Sequence, residues 1–126
     1  MLSGSIDDYG RALIPLVVTH PESGTAITIH AWIDTAFTGW LSLTPEQVAR
    51  LGLTASNRVP GRVADGSEVT FQTAECLVNW FGSPQAVQAI VSPGAFALVG
   101  IHLMEACTLL IDYPSRQVAL TLTASL

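Results

Sequence analysis

The chain has 126 residues, of which 49% are apolar and only 12% charged; that balance excludes a disordered chain and suits one domain, 1–126, around one core. The formal net charge is −5, and the five cations, Arg11, Arg50, Arg58, Arg62 and Arg116, are scattered along the sequence. A surface that tracks phosphates needs clustered cations, so nucleic acid is excluded as a partner.

The opening residues, Met1 to Asp8, are acidic and lack the cationic and apolar regions of an export signal. Residues 1–10 read as a loose N-terminus. The most hydrophobic stretch, Ala95 to Ile111, is interrupted by His102 and Glu105 and is short for a bilayer span, which needs ~20 apolar residues. It reads as core, and no membrane segment is expected. Cys76 and Cys107 match no metal or redox spacing, and His20, His30 and His102 form no ligand cluster with them. Two reduced thiols, no metal, no cofactor and a cytoplasmic location are the corresponding expectations.

Short runs of Val, Ile, Leu and Thr, broken by Gly, Pro, Asp and Ser, give the chain an all-β texture. Arg11 to Thr19 reads as a strand, with Pro15 placing it at an edge or bulge. His20 to Gly24 is a turn cluster, and Thr25 to Ile33 alternates with Ile27, Ile29, Ala31 and Ile33 on one face. Asp34-Thr-Ala-Phe-Thr-Gly39 breaks the alternation, and Trp40 to Leu43 resumes it. Thr44, Pro45 and Gln47 then form a capping box with proline at the first helical position, and Gly52 ends a helix of about two turns. Arg58 to Ala64 and Ser67 to Val78 flank Asp65-Gly66, a strong hairpin signal because both turn residues tolerate positive φ. Ser83-Pro84 reads as a turn and Val87 to Val91 as a strand. Ala95 to Val99 is an apolar run that ends at Gly100. His102 to Ala106 reads as a short helix. Thr108 to Asp112 and Gln117 to Thr123 read as a closing hairpin around Tyr113-Pro-Ser115.

The segment that bears on chemistry is Ala31-Trp-Ile-Asp34-Thr-Ala-Phe-Thr-Gly39. An apolar strand runs directly into a carboxylate, and burying an unpaired charge is costly. Read on residues alone, Asp34 is either an Asx-type turn cap or a functional acid. The segment resembles the Asp-Thr/Ser-Gly active-site loop of retroviral-type (retropepsin-like) aspartic proteases. Ala97-Leu-Val-Gly100-Ile-His-Leu-Met104 resembles the apolar stretch ending in glycine that passes beside that loop. Leu109 to Asp112 and Val118 to Leu120 are similar to the family's closing strands. The likeness runs in order from Leu13 to Leu120 and has two departures: Ala36 stands where the family usually has glycine, and His102 stands where bacterial relatives commonly have aspartate.

The resemblance implies an acid-protease fold, a closed, barrel-like all-β structure with one or two short helices. It implies an aspartic endopeptidase whose partners are a polypeptide substrate and a second copy of itself. That chemistry uses two carboxylates on one water, the aspartic-protease dyad that general treatments of pKa tuning take as their example. With one Asp-Thr motif and no room for two lobes, the second carboxylate is expected to be Asp34 of another copy. By the same resemblance Thr35 bonds across the dimer axis, Ala36 brings backbone near the substrate, Asp65 and Gly66 form the tip of a covering flap, and Val99 and Gly100 line the loop; read on residues alone, Thr35 is equally a local turn hydroxyl and Asp65-Gly66 the tip of an ordinary surface hairpin. Trp32, Trp40 and Trp80 read as core or interface. The alternative is a non-catalytic dimeric β module of the same fold that binds peptides or scaffolds a partner. A serine hydrolase on Ser42 or Ser67 lacks the Gly-x-Ser-x-Gly elbow.

Overall fold

Strict alternation builds the centre of the molecule. In the computed structural model, which describes residues 1–55, 58–62 and 64–123, β2 (Ala12–Thr19) turns Ala12, Ile14, Leu16 and Val18 inward, and β3 (Ala26–Ile33) turns in Ile29, Ala31 and Ile33. The two pair as an antiparallel hairpin from Leu13↔Trp32 to Thr19↔Ala26. On its other side β2 pairs only near its ends, so residues 14–17 lack a second partner strand. Pro15, which has no N–H to donate, falls in that gap, and the ladder loses nothing.

The capping box predicted at Thr44 forms in full. Gln47 N donates to the Thr44 hydroxyl, Thr44 N donates to Gln47 Oε1, and Gly52 closes α1 (Pro45–Leu51) at φ 70°. α1 follows the short strand β4 (Leu41–Leu43). β5 (Arg58–Arg62) pairs with β6 (Glu68–Trp80) across the expected Asp65-Gly66 turn, with Gly66 at φ 86°; Val63, part of the expected first strand, lies outside the described residues. β6 continues into β7 (Ser83–Val91). The turn between them is Phe81-Gly82, both at positive φ, rather than Ser83-Pro84. Pro84 sits opposite Asn79, one step beyond the closing pair Trp80↔Ser83. There its missing N–H points away from the partner strand.

β8 (Leu98–Val99) runs parallel to β3 and antiparallel to β4, and so lies between them. β4 runs parallel to β7. The β2–β6 pairing, Val18↔Val78 and Thr19↔Leu77, closes β2, β3, β8, β4, β7 and β6 into a six-stranded barrel. Inside are Ile14, Val18, Leu41, Leu43, Val78 and Val99, all essentially without solvent contact. A four-residue helix, α2 (Ile101–Met104), follows Gly100, and β9 (Cys107–Asp112) and β10 (Gln117–Leu122) form the closing hairpin. None of the helices among the described residues is long and apolar enough to cross a membrane.

The N-terminus is not loose. β1 (Leu2–Ile6) is inserted between β10 and β2. Leu2 and Ile6 alternate with exposed Ser3 and Ser5, and the Arg116 guanidinium holds the Ile6 carbonyl and the Asp8 carboxylate. Asp7 organises the following turn by accepting from Tyr9 N, Arg11 N and Arg11 Nε. Burial pushes its carboxyl up, but these bonds outweigh that and hold it below the usual carboxylate range.

Ser42 is buried within β4, and its hydroxyl accepts from the N–H of Leu98 at 3.0 Å. This bond ties β8 to β4 at the point where the barrel is narrowest in strand length. Ser42→Ala leaves a buried N–H without a partner and should cost about 1–3 kcal/mol, read as a lower urea midpoint. An unchanged midpoint would show that the bond does not hold β8 in place.

Candidate active site

Three backbone contacts aim the loop that follows β3. Asp34 N donates to the Val99 carbonyl (3.0 Å), Gly100 N donates to the Trp40 carbonyl (3.0 Å), and Ile101 N donates to the Phe37 carbonyl (2.9 Å). The loop is thus fastened to β8 at its start, middle and end. The Asp34 carboxylate is half-buried; its Oδ1 accepts from Ala36 N at 2.9 Å, and its carbonyl accepts from Phe37 N at 3.1 Å. The Asx-turn reading of Asp34 is found in place: the turn holds Oδ1, and the residue lines the neighbouring cleft.

Ala36 keeps the loop intact. Its N–H still reaches Asp34, and among the described residues the positive-φ residues that are not glycine are Phe81 and Arg116. No left-handed backbone is needed at residue 36, so the methyl group costs no strain there. Gly100 has no such freedom. A Cβ on it would lie 2.1 Å from the Gly39 carbonyl oxygen and 2.8 Å from the Phe37 ring. Close approach of two backbones, rather than backbone angle, requires glycine there.

A cleft of about 530 Å³ opens beside Asp34. Its floor is Asp34, Ala36, Phe37 and Gly39, its far wall Ile90, Ser92 and Leu98, and its cover the β5–β6 hairpin through Pro60, Gly61, Arg62, Ala64 and Phe71. Asp65 and Gly66 stand exposed at the end of that hairpin and are not among the lining residues. Asp65 instead shapes the tip. Its Oδ1 accepts from the Ser67 hydroxyl (2.6 Å) and N–H (2.8 Å), bonds that hold the carboxyl below its usual range. Of the ten acidic residues, only Asp34 lines the cleft. Asp7 is bonded to Arg11, Asp8 to Arg116, and Asp112 to Ser115 N.

Thr35 points to a different place. With Ile101, His102, Cys107 and Leu109 it lines a second hollow of about 350 Å³ on the other side of the loop. His102 stacks on Trp40 with ring centroids 5.8 Å apart, and its Nδ1 is 3.7 Å from a Glu105 oxygen. Trp32 and Trp40 are partly exposed and Trp80 is buried. Ser42 is engaged in the barrel, and Ser67 in the hairpin tip, so neither is presented as a nucleophile. Burial pushes the Cys76 thiol up to about 12 and raises that of Cys107, so both stay protonated at neutral pH. The cleft residues not foreseen from sequence, chiefly Phe37, Phe71, Ile90 and Leu98, belong to four separate segments that pairing alone brings together.

Neither the protein-family models nor the curated protein sequences contain a match to this chain. Solved structures do. A retropepsin-like aspartic protease from Rickettsia conorii superposes with a TM-score of 0.64 at 19% identity, over 94% of this chain and 88% of that one. The EIAV protease in complex with the inhibitor HBY-793 superposes with a TM-score of 0.55 at 14% identity, over 75% of this chain and 86% of that one. At such identities the likeness speaks for architecture: a closed β-barrel with the aspartate loop fastened to β8, this chain has the retropepsin-like fold.

Proposed function

We propose that the protein is an aspartic endopeptidase that works as a homodimer. The observation that carries this reading is Asp34 alone: a carboxylate at the floor of a peptide-sized cleft, with every other aspartate engaged elsewhere or distant. Peptide hydrolysis by carboxylates needs a pair. One takes the proton of the attacking water, and the other, protonated, donates to the carbonyl oxygen of the scissile bond. The tetrahedral adduct then collapses as a proton passes to the leaving nitrogen. One chain supplies one of these groups, so a second copy supplies the other.

The surface for that copy is suggested by what lies beside Thr35. Among the described residues β9 is the outermost strand of its sheet and pairs with β10 alone. An open strand edge is usually protected by Lys, Pro or a bulge. This one, Cys107-Thr-Leu-Leu-Ile-Asp112, has none of them before its terminal aspartate, and Leu110 is 59% exposed. Cys107 and Leu109 of β9 line the same hollow as Thr35, so the open edge and the loop share one face. β1 is held on both sides and offers no equivalent edge.

Asp34→Asn should abolish peptide cleavage while leaving the fold and the dimer in place, because the amide has nearly the same shape but cannot take the water's proton. Turnover on a fluorogenic peptide, read beside a circular-dichroism spectrum, checks this. Wild-type turnover in the variant would sink the proposal, and peptide binding by a wild-type protein that never cleaves would favour the non-catalytic module. Leu110→Lys should weaken the dimer by about tenfold or more, since it puts a charge in place of the exposed apolar side chain of this open edge, whose burial is worth ~1.5–3 kcal/mol. Sedimentation equilibrium measures that constant, and an unaltered value would place the interface elsewhere.

A further inference from the structure

The cleft beside Asp34 is partly filled by the protein itself. Phe37 stands three residues after Asp34, and both of its backbone polar groups are fixed: its N–H donates to the Asp34 carbonyl and its carbonyl accepts from Ile101 N. The ring lies over two glycines. A Cβ on Gly39 would come within 2.6 Å of its Cε1 and Cζ atoms, and one on Gly100 within 2.8 Å of Cδ2. The ring is half-buried and forms part of the cleft floor, facing Phe71 and Pro60 of the hairpin and Leu98 of the wall as fellow lining residues.

We propose that Phe37 is the specificity-determining residue of this cleft: by occupying the space over Gly39 and Gly100 it limits the neighbouring subsite to small or branched aliphatic side chains and turns away aromatic ones. The inference rests on the reading of the cleft as a peptide site and concerns which peptide side chains fit there. The uncharged polar residues lining the cleft are Thr38, Ser42, whose hydroxyl is engaged by Leu98 N, and Ser92, and the charged ones are Asp34 and the exposed Arg62, which is paired with Glu68. An aliphatic group can lie against Phe37, Phe71, Ile90 and Leu98, and its permitted size is set by what Phe37 leaves open. A pocket of this kind discriminates by volume, and one or a few carbon atoms too many are enough to change affinity by an order of magnitude.

The test uses binding, so that it does not depend on cleavage. Peptides with a reduced, uncleavable amide at the central bond carry Ala, Val, Leu, Phe or naphthylalanine before that bond, and their dissociation constants are measured by calorimetry for the wild type, Phe37→Ala and Phe37→Leu. The wild type should bind the Val and Leu peptides at least about tenfold more tightly than the Phe and naphthylalanine peptides. Phe37→Ala should erase or reverse that order, and Phe37→Leu should fall between, which keeps the test open should the alanine variant fold poorly. The same order of affinities in the wild type and in Phe37→Leu would overturn the inference, as would a failure of every peptide to bind the wild type. Peptides that bind in the expected order but are never cleaved in their ordinary amide form would uphold the role of Phe37 and overturn proteolysis instead.

Discussion

The candidate site depends on how closely two backbones approach. Gly100 lies so near Gly39 that a single methyl group would meet the Gly39 carbonyl. Around that contact run the bonds from Gly100 N to Trp40, from Ile101 N to Phe37 and from His102 N to Gly39. They join the end of β8 to the loop that begins at Asp34. β8 is only two residues long, yet it separates β3 from β4 and bonds to both. Without the glycine the chain after β8 would have to move away. The loop would then lose three of the bonds that aim the carboxylate.

Because the loop is fastened on one side, its two faces take different surroundings. Asp34, Ala36 and Phe37 face the cleft under the β5–β6 hairpin, whereas Thr35 faces the hollow bounded by α2 and β9. One side is a cleft whose lining is mainly apolar, with hydroxyls of Thr38, Ser42 and Ser92, the Arg62 cation and one carboxylate. The other side meets an open strand edge that still has hydrogen-bonding groups to satisfy. Thr35 is the one residue from 34 to 39 that lines the hollow rather than the cleft.

What could be read from the sequence was what is decided locally. The capping box at Thr44 and Gln47, the stop at Gly52 and the turn at Asp65-Gly66 each depend on a few neighbouring residues, and each is found in place. The retropepsin-like architecture was legible because two short motifs, around Asp34 and Gly100, stand in the right order. The turn at Phe81-Gly82 was not, since a phenylalanine at φ 53° has no preference for that conformation and is held there by the pairing of β6 with β7. β1 was missed because its partners, Gln117 to Leu120, lie more than a hundred residues away. Phe37 is a further case of the same kind. Its place over Gly100, a residue sixty-three positions later, exists only once β8 is inserted.

The central claim is that one working site contains two Asp34 carboxylates, one from each copy. Two copies joined by a flexible linker into a single chain, with Asp34→Asn in one of them, isolate that claim from folding and from assembly. Turnover of a fluorogenic peptide by this tandem protein is compared with that of a tandem carrying two intact copies. If the two carboxylates act on one water, a single substitution abolishes the turnover of the tandem. Activity that falls only in proportion to the number of intact copies would mean that each chain works alone, and would contradict the account.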